Sequence, residues 1–148
     1  RVNEIPPGAD ERYTDTNDTP ASVAVVYGTK FPFTPIVIRW VWSSTLPVGA
    51  VAYRPGRGRP YIIVLGSGSD RLGEWVTVER NLVEDYKAIF GKEPPDEPKG
   101  IQLSTDANRT EGAAADADYD DFRALAAHSP GFPAEPRVLL KQYMQGNK

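Results

Sequence analysis

The distribution of prolines constrains this chain more than any other feature. There are 14 of them in 148 residues, and each removes a backbone donor and clashes with the preceding helical turn. Helices can therefore form only in the proline-free windows 61–93, 99–129 and 137–148. Everything before Pro60 is divided too finely for anything but strands and loops, and 13 glycines add further turns. Ala21 to Tyr27 and Ile36 to Trp42 are rich in β-branched and aromatic residues and read as strands. Tyr61 to Leu65 is apolar on both faces, as in a central strand covered on each side, and stops at the turn cluster Gly66-Ser67-Gly68-Ser69. Trp75 to Glu79 alternates like a strand. Ile101, Leu103 and Thr105 share one face of another, and Tyr119 to about Leu125 reads as the last.

One segment has helical periodicity. Leu82, Val83, Tyr86, Ile89 and Phe90 form a one-sided stripe. Asn81 is placed to cap the first turn with Glu84 three residues on, and Gly91 is placed to close the helix in the left-handed region. A second helix is expected after Pro136, carrying Val138, Leu139, Leu140, Tyr143 and Met144.

Charge and composition remove several classes of function. A net charge of −3 gives no general field for nucleic acid or an anionic membrane. No apolar run approaches the roughly 20 residues of a membrane-spanning helix. The absence of cysteine excludes disulfides, thiolate metal sites and cysteine nucleophiles. His128 is the sole histidine, inside a proline-rich stretch, and no Gly-x-Ser-x-Gly elbow exists to pair it with a serine.

Some constellations remain. Trp40 and Trp42 lie two apart and share a strand face, which suits stacking on a sugar if that face is outward and core packing if it is inward. Trp75 is a further aromatic candidate. Arg39, on the opposite strand face, is a candidate ligand contact, and Arg39 and Arg80 both suit internal acids as ion-pair partners. Asp106, Asn108 and Thr110 at alternate positions, with Asp120, have the oxygen chemistry of a calcium site but lack the glycine and glutamate of an EF-hand. The competing reading is a set of Asx turns and a solvated acidic run over 116–121.

The residues Arg80-Asn81, Asp85-Tyr86, Phe90-Gly91 and Asp106-x-Asn108-x-Thr110 occur with Trp42-Ser43 at a strand end and Pro47-x-Gly49 in the next turn. In this the chain resembles a bacterial domain-of-unknown-function family, the one numbered three thousand and forty-seven, over roughly Gly8 to Phe122. The resemblance implies an exported protein of mainly β class, a jelly-roll or galactose-binding-like β-sandwich with one inserted helix at about 81–90. It carries no activity. Arg80, Asn81, Asp85, Tyr86 and Gly91 are its structural motif. Where family members have Tyr-Gly-Asp, this chain has Tyr119-Asp120-Asp121, so Asp120 is expected to take the glycine's positive φ. Members also carry further upstream strands, and Arg1-Val2-Asn3 looks like the end of one.

The expectation is a sandwich domain over 1–126 lacking its N-terminal strands, then a proline-rich tail with a short amphipathic helix over 127–148. Its leading function is a non-catalytic structural or interaction subunit of a bacterial envelope assembly, periplasmic or extracellular. The partner is another polypeptide that completes the sandwich or docks the terminal helix. The alternative is a carbohydrate-binding module using Trp40, Trp42 or Trp75, and the third reading is a glycan hydrolase using Asp106 with Asp120 or Asp121. No cofactor is expected, calcium being the one candidate.

Overall fold

The β-branched and aromatic runs become strands, and most of them join one sheet. The computed structural model describes residues 1–30, 34–53, 60–95, 97–125 and 141–143. In chain order the elements are β1 (Val2–Glu4), β2 (Thr19–Lys30), β3 (Thr34–Ser43), β4 (Ala50–Tyr53), β5 (Tyr61–Ser67), α1 (Leu82–Phe90), β6 (Gly100–Asp106), β7 (Asp116–Ala117) and β8 (Lys141–Tyr143). Six strands in the order β6-β2-β3-β5-β4-β8 form the main sheet, and β1 with β7 forms a two-stranded sheet that lies against β2. Among the described residues the fold is mainly β, with two sheets and one helix, consistent with the expected β-sandwich carrying an inserted helix.

Pairing is antiparallel for β2 with β3 and β6, and for β4 with β5, but parallel for β3 with β5 and β4 with β8. Strand β5 thus sits inside the sheet, which explains why Ile62, Ile63 and Val64 are buried on both faces. On one face Val25, Tyr27, Ile38, Trp40, Val51 and Ile63 pack with Tyr86 of α1, and Leu82, Ile89 and Phe90 seal the contact. On the other face Val41, Ala50, Ala52, Ile62 and Val64 pack with Leu46.

Helix α1 begins and ends where its capping residues require. The Asn81 side chain accepts hydrogen bonds from the amides of Val83 and Glu84, and Gly91 closes the helix with φ of 67°. Glu84 does not return the bond to Asn81; it turns to Lys87 instead.

Several expectations are corrected. Trp75 to Glu79 is irregular backbone, not a strand. The final strand of the 116–125 region is Asp116–Ala117, and Tyr119 to Leu125 is not one. The residue with positive φ after Tyr119 is Asp121, at 52°, not Asp120. The expected terminal helix falls mostly outside the described residues, as does His128, and its residues Lys141–Tyr143 form β8, a strand. Among the described residues no helix is long and apolar enough to cross a membrane.

Candidate functional site

Cross-strand partners share a sheet face, so the register can be read as rows of side chains. Leu103, Val23, Trp40, Ile63 and Val51 form one row from β6 to β4, and Ile101, Val25, Ile38, Tyr61 and Tyr53 form the next. Both rows lie on the face that α1 covers. The helix reaches β2 and β5 through Tyr27–Tyr86 and Tyr61–Phe90 ring contacts at 4.8 and 5.0 Å and β3 through Trp40, but the rows continue beyond it. Ile101 is 64% exposed and Leu103 44%. Strand β6 pairs only with β2 among the described residues, and none of them pairs with its outer line of backbone donors and acceptors.

A buried polar clamp fixes the helix over the sheet. Trp40 Nε1–H donates to Asp85 Oδ2 at 2.8 Å, and the Arg80 guanidinium closes on both oxygens of the same carboxylate. Asp85 and Tyr86 are almost wholly buried, and Arg80 and Trp40 satisfy the buried carboxylate's oxygens. This is the work of the Arg80, Asn81, Asp85, Tyr86 and Gly91 motif. Its Arg80, Asp85 and Tyr86 side chains face the interior, while Asn81 and Gly91 mark the helix ends.

The same geometry removes the two-ring sugar platform. Trp40 is buried at 5% exposure. Trp42 donates to the Gly68 carbonyl at 2.9 Å, and its ring lies where a Cβ on Gly66 would stand, 2.2 Å from Cε3. Trp75 alone is exposed, at 55%, with the Arg1 guanidinium 5.1 Å from its ring centre. Among the described residues no ion pair engages Arg39. Its Nε is buried with no hydrogen bond, and burial lowers its pKa, partly offset by the charge of Asp106.

The 106–110 loop is organised around a carboxylate rather than a cation. Buried Asp18 accepts the amides of Arg109 and Thr110. Burial alone would raise its pKa, but the hydrogen bonds from Thr110, Arg109 and Asn108 hold it below the usual carboxylate range. Asp106 accepts the Asn108 amide at 3.2 Å, an Asx turn, and Asp120 accepts the amide of Asp121. Among the described residues no group of three His, Cys, Asp or Glu side chains is arranged to hold a metal. Asp121 pairs with Arg123. Asp116 and Asp118, in the acidic run, bind Asn3 of β1 and the preceding Arg1.

Two further residues complete the picture. The Tyr119 hydroxyl donates to the Ser104 carbonyl at 2.7 Å and accepts the Ser22 amide at 3.1 Å. It sits where the β2–β6 register slips between Thr19 and Ser22, so it supplies the hydrogen bonding that the slipped ladder lacks. Glu11 is fully buried. Ser43 Oγ–H donates to its Oε2 at 2.6 Å and itself accepts the amides of Thr45 and Leu46, while Oε1 has no partner. Burial, reinforced by neighbouring Asp10 and opposed by the Ser43 bond, pushes the Glu11 pKa up to about 7.

The uncovered end of the apolar rows was the feature least visible in advance. The only signal is that β6 carries no charge or proline from Gly100 to Thr105. A family model described as a protein of unknown function, DUF3047, matches residues 1–123. No curated protein and no solved structure matches the chain.

Proposed function

This chain belongs to the DUF3047 family, whose description names no chemistry, and we propose that it is a non-catalytic interaction module that adds a partner strand along the outer edge of β6. The observation that carries this reading is the pair of apolar rows that leave the cover of α1 and end on Ile101 and Leu103 at an open strand edge. Backbone groups on that edge supply hydrogen bonds to any extended segment, and the two apolar side chains supply its contact face. A periplasmic or extracellular site in a bacterial envelope assembly is part of the same proposal and rests on the family resemblance.

Site-specific photo-crosslinking in the native host tests it. A photoreactive phenylalanine at position 103 is expected to yield a discrete heavier adduct, and the same label at Glu84, exposed on α1, is expected to yield none. Equal labelling at both positions, or no adduct at 103, would refute the edge as an interface. Fractionation of the host tests the location separately.

A further inference from the structure

We infer that the strand that adds to β6 is β6 of a second copy of this chain, running antiparallel and centred on Gln102. The inference rests on the reading above that the β6 edge is an interface, and it names the partner. Edge strands of proteins that stay monomeric are ordinarily guarded by charges, prolines or bulges. From Gly100 to Thr105 strand β6 has no charged residue and no proline, and its pairing to β2 runs without a slip from Ser104 back to Gly100. It presents a straight, neutral edge.

Symmetry then selects the register. A two-fold axis that joins two sheet edges stands perpendicular to the sheet, so each face continues onto the same face of the partner. Residues directly opposite must therefore belong to the same alternation, which leaves Gln102 or Leu103 at the centre of the strand. Centring on Leu103 sets Ile101 against Thr105. Centring on Gln102 sets Ile101 against Leu103 of the second copy, and the reverse, so that both exposed apolar residues cover each other. The rows headed by Leu103 and Ile101 then run unbroken from one copy to the next. In this register Gly100 faces Ser104, Lys99 faces Thr105 and Gln102 faces its own copy, so no like charges are opposed. Both copies of α1 lie on the same side of the joined sheet.

The full chain provides the test because it contains no cysteine. Sedimentation equilibrium over a concentration series is expected to give twice the monomer mass, with little dependence on salt because the paired segment is neutral. Gln102→Cys places two thiols at the axis, where directly opposed Cα atoms stand about 4.5–5.5 Å apart, within disulfide range. Oxidation is expected to link nearly all of the dimer, whereas Glu84→Cys is expected to link none. Leu103→Lys is expected to weaken dimerisation at least tenfold with the circular dichroism unchanged. If Leu103→Lys does not fold, Ile101→Lys, at a more exposed position, reads the same effect. A chain that remains monomeric at all concentrations, or a dimer that neither the cysteine nor the lysine variants affect, overturns the inference. A monomer that still gives a discrete adduct at position 103 in the host overturns only the second copy as partner. A monomer with no adduct there overturns the edge reading as well.

Discussion

Replacing Glu11 by Gln is expected to change how the stability of this chain depends on pH, and the size of the change follows from the site. Glu11 is fully buried, with Ser43 on one oxygen and nothing on the other. Its ordinary pKa of 4.5 is raised to about 7, chiefly by burial. In the pH interval between those values the folded chain holds a proton on Glu11 that the unfolded chain has released. The contribution of Glu11 to stability is therefore greatest below 4.5, falls as the pH rises toward about 7, and levels off above it. At about 1.4 kcal/mol per pH unit, the interval from 4.5 to about 7 amounts to about 3 kcal/mol. Gln keeps an acceptor for Ser43 and cannot ionise. Asp10, Asp18 and Asp118 have lowered pKa values and act in the opposite sense, contributing stability that is lost in acid. They are common to both proteins and cancel in the difference. Urea unfolding from pH 4 to 8, followed by tryptophan fluorescence, should show the two proteins nearly equal at pH 4. Glu11→Gln should become more stable by about 3 kcal/mol at pH 7.5. A difference between the two proteins that does not vary with pH would show that Glu11 does not titrate in the folded state, and the reasoning would fail.

Other substitutions test other parts of the structure. Asp85→Ala strips the partner from buried Arg80 and from Trp40, and should cost about 3–5 kcal/mol in urea unfolding with a shift in Trp40 fluorescence. Gly66→Ala drives a methyl into the Trp42 ring and should cost about 1–3 kcal/mol; an unchanged melting temperature would refute that close approach. Tyr119→Phe leaves the Ser22 amide without its acceptor and should cost about 1–3 kcal/mol, with faster hydrogen exchange at Ser22 as the specific readout.

Local features of the fold were legible in the sequence. Prolines limited helices to three windows, and Asn81 and Gly91 marked the ends of α1 because capping is decided within a few residues. Strands β2, β3, β5 and β6 announced themselves by composition. What could not be read was which strands meet. The parallel pairing of β3 with β5 and the burial of Trp40 depend on partners far along the chain, and Asp85 lies 45 residues from Trp40. Trp75 to Glu79 misled because alternation is necessary for a strand but not sufficient. That segment leads into the Asn81 cap and gives its neighbour Arg80 to Asp85, and no strand pairs with it. In the oxygen-rich 106–110 loop the amides converge on Asp18, a carboxylate 91 residues from Arg109, which local spacing does not encode. Likewise the openness of the β6 edge is a property of what fails to cover it, which no local pattern encodes.

The edge reading is tested most directly by hydrogen exchange along Gly100–Asp106, measured on the chain diluted to monomer and again in its assembled state. In the monomer, alternate amides, those donated to β2, should be protected while those on the outer edge exchange at rates close to an unstructured peptide. In the assembled state both sets should be protected. Uniform protection of Gly100–Asp106 in the monomer would mean that the edge is already covered within one chain, and would contradict an open interface there.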